Sequence, residues 1–202
     1  MAAPRADQIH RVRPDLFVWQ AYEPAVKCDL TSAAVLVGGE MILVDPIPLT
    51  PMAVEELTEQ GSPTWVVCTS GNHARAAEQY RERFGAKVAA HPESAAELGI
   101  EIDVLIEDSA RLPGGCEVCA LPGAAPGEIA LVHPGEFICL GDAVIHLPQT
   151  GFALLPAKYC ADAKLLRHSV RKLLRYEFSA LTFAHGLPLV AQARSRLEAL
   201  LA

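Results

Sequence analysis

The chain has 202 residues, 51% of them apolar, with a formal net charge of −7 and a pI near 5.5. That length accommodates one substantial core rather than two separate domains, and the acidic balance excludes nucleic acid and anionic membrane as general partners, since both require a broad cationic face. Residues 1–13 are polar and contain neither a secretory signal nor a membrane anchor, so the expectation is one cytoplasmic domain over 1–202, with 1–14 as an N-terminal tail.

The first strand is expected at 16–21. Residues 32–37 and 41–44 follow as a hairpin turning at Gly38-Gly39 and ending at Asp45-Pro46. A helix over 51–60, with Val54 and Leu57 on one face, stops at Gly61. A strand at 64–69, a helix at 73–84, a strand at 87–90 and a short helix at 92–98 continue the rhythm. From Cys116 onward the strands crowd together, at 116–121, 128–133 and 137–140. A helix over 162–176, a strand at 180–183 and a last helix over 188–201 close the chain. Two groups of strands, each with covering helices, predict two sheets packed face to face with helices outside, because each sheet must bury one face and shield the other. The fold class is therefore α+β, a four-layer αββα sandwich. Pro113-Gly114-Gly115 and the stretch from Pro122-Gly123 to Pro126-Gly127 are read as turns.

Several landmarks along this order resemble the metallo-β-lactamase fold, over about residues 16–201. Ala34-Val35-Leu36-Val37-Gly38-Gly39 with Ile42-Leu43-Val44-Asp45-Pro46 is similar to that family's opening hairpin, whose terminal aspartate supports a metal-binding turn. Pro122-Gly123-Ala124-Ala125-Pro126-Gly127-Glu128 resembles its Pro-Gly-His-Thr-Pro-Gly turn, Gly141-Asp142 its Gly-Asp, and His185-Gly186 its closing His-Gly. The resemblance implies a member of a superfamily of mostly hydrolytic enzymes built round one or two metal ions. The family's His-x-His-x-Asp-His turn aligns on Ser70, Gly71, Asn72, His73, Ala74 and Arg75, which replaces all four of its ligands, and Ala124 stands where the Pro-Gly-His turn has its histidine. The chain is also similar to a divergent branch of predicted metal-dependent hydrolases whose turn reads roughly Thr-Asn-x-Asp-His-x-Arg.

A catalytic zinc needs three protein ligands and an open position. Asp142 and His185 supply two, and in the alignment above His73 occupies a position that points away from the metal, while Ser70 and Asn72 are poor zinc donors. The expectation is a degenerate site with no metal cofactor; if one metal is held, its ligands are His73, Asp142 and His185. Ser70 and Asn72 are read as helix N-caps. The guanidinium of Arg75 replaces the missing cation in one of two ways. It pairs with the Asp142 or Asp45 carboxylate, or it joins Ser70, Asn72, His73 and Asp45 in a cradle for a small anionic ligand. Asp142 orienting His185 as a metal-free general base is a further arrangement, although no GxSxG elbow accompanies it.

The six cysteines read as reduced thiols. The Cys116/Cys119 CxxC has no second pair to complete a zinc site, and Cys68, Cys139 and Cys160 are taken as buried apolar residues rather than nucleophiles. His146 is read as a loop residue near the cleft, and His10, His91, His133 and His168 as surface residues. Lys164, His168, Arg171, Lys172 and Arg175 form a solvated helix face. The leading functional expectation is a member of this hydrolase family that has lost its metal chemistry and binds a small anion or scaffolds a complex. The alternatives are a mononuclear metal-dependent hydrolase and a non-catalytic subunit whose cleft an Arg75–Asp142 pair closes. Self-association is left open.

Overall fold

Side-chain alternation sets the layers in the computed structural model, which describes residues 4–202. Strands β1 (His10–Arg13), β2 (Leu16–Glu23), β3 (Cys28–Val37) and β4 (Glu40–Val44) are antiparallel neighbours. Beyond β4 the sheet continues in parallel through β5 (Pro63–Cys68), β6 (Lys87–Ala90) and β7 (Val104–Leu105). Each parallel step needs a crossover, and α1 (Pro51–Thr58), α2 (Ala77–Phe84) and α3 (Pro92–Leu98) provide the three. The second sheet contains β8 (Glu117–Ala120), β9 (Ile129–Val132) and β10 (Phe137–Leu140). After a hairpin of β11 (Val144–Leu147) and β12 (Gly151–Leu154) and helix α4 (Ala163–Arg171), strand β13 (Ala180–Thr182) joins β10 in parallel. Helix α5 (Ala193–Leu201) ends the chain.

Strand period 2 sends Leu16, Val18, Val35, Ile42 and Val67 to one face of the first sheet, where they meet Val118, Ile129, Leu131 and Phe137 of the second. The opposite face of the first sheet, with Phe17, Trp19, Leu43 and Val66, packs on Val54 and Leu57 of α1 and Tyr80 of α2. The outer face of the second sheet, with Ala130, Val132 and Ile138, packs on Leu166 and Val170 of α4 and Leu197 and Leu201 of α5. These three apolar layers make the αββα sandwich that the strand grouping predicts.

The expected tail is corrected where the chain is described. Residues 10–13 form the edge strand β1, and buried Ala6 donates its N–H to the Pro48 carbonyl at 2.9 Å; residues 1–3 of the expected tail 1–14 lie outside the described residues. Helix α2 begins at Ala77 rather than at 73, because Ala76 donates to the Pro46 carbonyl at 2.9 Å and the preceding residues turn through the site. The last helix begins at Ala193, since Leu189 and Leu181 exchange two 2.8 Å backbone bonds just before it. His133 is buried instead of exposed, with its ring stacked on Phe137 at 4.5 Å.

The segments after β4, β5, β10 and β13 emerge at one edge of the sandwich, together with the starts of the antiparallel β3 and β9. Thr31 donates to the Ala184 carbonyl at 2.8 Å and Ile129 to the Thr69 carbonyl at 2.9 Å, so the two sheets are sewn together there. This edge holds the candidate site.

Candidate metal centre

Asp45 follows β4 in a left-handed backbone conformation, φ +46°, which a non-glycine residue adopts only when its surroundings enforce it. The enforcement is visible: its carbonyl accepts from the Ser32 hydroxyl at 2.7 Å, and its carboxylate accepts from the Thr69 N–H at 2.8 Å and the Thr69 hydroxyl at 2.5 Å. The same carboxylate faces His73 Nδ1 at 2.9 Å. Burial pushes the Asp45 carboxyl up, but His73 and then Arg75 outweigh it and hold it below the usual range.

The orientation of His73 follows from that bond. With Nδ1 tied to Asp45, Nε2 points to Asp142 Oδ1 at 3.4 Å, and on the far side of Asp142 the same oxygen lies 3.2 Å from His185 Nε2. One donor atom from each of His73, Asp142 and His185 lies within 4.8 Å of the other two. His73 is almost fully covered, at 2% exposure, whereas the side chains of Asp142 and His185 are 16% and 17% exposed, so the group opens to solvent on their side. Burial works against a charged His73, yet Asp45, with Asp142 behind it, lifts its pKa to about 10. Asp142 is held well below the ordinary carboxylate range; burial opposes this, and the two histidines prevail.

Two glycines keep this geometry open. A Cβ at Gly141 would lie 2.5 Å from both Glu128 Oε1 and Thr69 Oγ1, so a side chain there would displace the segment that carries Asp142. Gly186, at φ +92°, leaves no room for a Cβ against the His146 carbonyl, and its own carbonyl accepts from Thr31 Oγ1 and Gln20 Nε2 at 2.8 Å each, which fixes the segment that carries His185.

Arg75 departs from the expected carboxylate pair. Its guanidinium donates to the main-chain carbonyls of Thr31 at 2.7 Å, Asp45 at 2.8 Å and Ala184 at 3.2 Å. Among the described residues it makes no ion pair with the Asp142 or Asp45 carboxylate, so the carboxylate staple and the Arg75–Asp142 closure of the cleft are replaced by a clamp on three carbonyls from both sheets. Three of its five N–H groups are used in this way, which leaves two for any further partner. Ser70 and Asn72 cap no helix, since α2 starts at Ala77 after an N-cap, Ala76, that makes no side-chain bond. Ser70 is buried beside Glu128, and Asn72 is exposed to solvent.

Three contributors escaped the sequence reading. Thr69 orients Asp45. Glu128 is buried under the Asp142 segment, with Oε1 accepting the Ala143 N–H at 3.0 Å and Oε2 without a well-formed hydrogen bond. Burial, then the Asp142 charge, raises its pKa to about 8. Cys28 places Sγ 3.4 Å from His185 Nδ1. Glu128 carried a signal, a carboxylate at the start of an otherwise apolar strand. Cys28 carried none, because its contact with His185 joins residues 157 apart. Of the cysteines weighed as nucleophiles, Cys68 and Cys139 are buried and Cys160 bonds to backbone carbonyls of Leu155 and Pro156.

The His-Asp-His group also fits a metal by its unmet bonding. Buried His73 Nε2 and Asp142 Oδ1 lack a well-formed hydrogen bond, although they lie 3.4 Å apart. Such atoms are costly unless a further partner engages them. Two imidazole nitrogens and one carboxylate oxygen are a donor set that zinc and iron accept. The larger cavities, about 350 Å³ by Glu78, Arg81 and Asp103 and about 330 Å³ by Gly38 and Gly61, include none of these residues. They are open and lined by surface side chains, whereas two buried ligand atoms without a well-formed hydrogen bond, His73 Nε2 and Asp142 Oδ1, converge with His185.

Residues 8–202 match a protein family described as the metallo-beta-lactamase superfamily. The chain belongs to that superfamily. Solved structures similar to the chain include DIM-1 metallo-beta-lactamase exposed to ceftazidime, which superposes with a TM-score of 0.78 at 17% identity, over 100% of this chain and 98% of that one. A metallo-beta-lactamase from Pontibacter korlensis gives 0.73 at 18%, over 96% and 98%, and TTHA1623 in a di-iron-bound form gives 0.64 at 22%, over 89% and 96%. No curated protein matches the chain. The alignment given above has His73 pointing away from a metal, whereas the structure turns its Nε2 toward Asp142 at 3.4 Å. The expected degenerate site without metal is not supported: His73, Asp142 and His185, the set expected if one metal is held, form a group that could hold an ion.

Proposed function

We propose that this chain is a mononuclear metal-dependent hydrolase in which His73, Asp142 and His185 hold one divalent ion. The observation that carries this reading is the convergence of three ligand atoms within 4.8 Å, two of them buried and without a well-formed hydrogen bond. Membership of the superfamily supports it, as does the Asp45–His73 contact, because a ligating histidine typically gives its second ring nitrogen to a carboxylate. A divalent ion held there would supply Lewis acidity toward a carbonyl or phosphoryl group. The chain's own residues bind and orient: Asp45 fixes the ring of His73, Gly141 lets Asp142 approach, and the exposed sides of Asp142 and His185 leave room for a substrate.

A metal-free Asp142–His185 base fits less well. His185 Nε2 faces Asp142 and Nδ1 faces Cys28, so neither ring nitrogen is turned toward an incoming proton. The anion-binding reading has less support, because the clamp commits three of the five N–H groups of Arg75. Elemental analysis of purified protein tests the proposal, with zinc, iron and manganese measured together. The expected result is about one metal per chain, lost in His185→Ala and Asp142→Asn along with any ester or phosphoester hydrolysis. Metal retained at the same level in both variants would exclude this ligand set.

A further inference from the structure

Cys28 opens β3 on the rim of the site, partly exposed, and its sulfur lies 3.4 Å from Nδ1 of His185. The His185 backbone is held independently. Leu30 and His185 form a β-bridge, and the carbonyls of Ala184 and Gly186 on either side accept from Thr31 N and Arg75 and from Gln20 and Thr31 Oγ1. Those contacts place the segment but leave the ring's rotation and tautomer undetermined. Among the described residues, Cys28 is the side chain that engages Nδ1.

The two nitrogens of a neutral imidazole are never alike, since one carries the proton and the other the lone pair. Without a metal, a proton on Nε2 faces the Asp142 carboxylate, and Nδ1 is an acceptor. With a metal on Nε2, the lone pair is needed there and the proton must sit on Nδ1, which becomes a donor. A carboxylate opposite Nδ1 would serve only the second arrangement. A thiol serves both, because it donates through S–H and accepts through sulfur.

Resting on the metal-binding reading above, we propose that Cys28 is the positioning residue of His185, a two-way hydrogen-bond partner that lets the imidazole exchange tautomers when a metal binds. The neighbouring charged groups on the same rim are Asp29 and Glu23, with Asp142 and Arg75 across the site. None of them replaces Cys28 at Nδ1. Serine shares the donor and acceptor capacity, and alanine has neither.

The test uses full-length wild type, Cys28→Ala and Cys28→Ser, stripped of metal and titrated with zinc and with cobalt(II) against a chromophoric chelator. Imidazole nitrogen NMR of the same samples reports the His185 tautomer, a readout that a merely structural role would leave alone. Metal affinity should fall about tenfold or more in Cys28→Ala, the usual scale for an outer partner of a ligating histidine, and recover most of that in Cys28→Ser, with metal-free melting unchanged. The wild-type spectrum should show the Nδ1 proton only when zinc is bound. Wild type that binds one metal while Cys28→Ala binds it equally well overturns the role of Cys28 and leaves the metal site standing. Wild type that binds no metal overturns both.

Discussion

His73 shows how one residue's surroundings settle its chemistry. Two carboxylates, Asp45 at 2.9 Å and Asp142 at 3.4 Å, outweigh the burial that would discharge the ring and hold its pKa at about 10. In the unfolded chain a histidine titrates near 6.5. The folded pKa is the higher one, so the stability that the His73 proton contributes is fully present below about pH 6.5 and is lost as pH rises toward 10. Glu128 acts in the same direction over its own window, up to its folded pKa of about 8. Metal-free protein should therefore lose stability from pH 6.5 to 8.5, by about 1.4 kcal/mol per pH unit for each proton that the fold retains. Denaturant melts across that range check it; His73→Gln should show the shallower slope left by Glu128, and equal slopes would remove His73 as the cause. The residues of this cluster were only partly legible in the chain. Asp45, Asp142 and His185 stand in landmarks with neighbours of fixed type, Pro46, Gly141 and Gly186, and could be found. His73 is legible as a candidate but its direction is not, because the inward orientation of its ring depends on the contact with Asp45, 28 positions away.

At the scale of the elements, Arg75 joins pieces that no strand pairing connects. Its three carbonyl partners lie in β3, after β4 and after β13, so one side chain spans the seam between the two sheets beneath the site. Truncation leaves those carbonyls short of a charged donor in a largely buried place, which costs about 3 kcal/mol or more. Arg75→Ala should lower the denaturation midpoint by that amount and weaken metal binding as well, and Arg75→Lys should recover only part, since an ammonium lacks the planar fork that reaches three oxygens. A variant as stable as wild type would show that the clamp is ornamental. Strands were the best-read elements, because β-branched and apolar runs such as Trp65-Val66-Val67-Cys68 admit few alternatives. The hairpin of β11 and β12 went unread, since Val144–Leu147 is followed by Pro148 and joins neither large sheet. The start of α2 was misplaced because the helical spacing of 73–84 continues through residues whose backbone is committed to the turn, Arg75 among them at φ +40°.

For the molecule as a whole, the sandwich is readable from strand grouping, and the site only as a set of candidate residues without their contacts. Layers follow from alternation, a local property of each strand, and the three apolar layers carry it through. The site depends on contacts between residues far apart in the chain, such as Asp45 with His73, 28 positions on, and Cys28 with His185, 157 positions on. Among the described residues no helix is long and apolar enough to cross a membrane. The central claim is a single metal held by His73, Asp142 and His185. The most direct measurement is an anomalous difference map, recorded at the zinc edge, from crystals grown with zinc. One peak about 2.1 Å from a nitrogen of each histidine and an oxygen of Asp142 is expected; two peaks at the site, or none there with zinc bound elsewhere, would contradict the account.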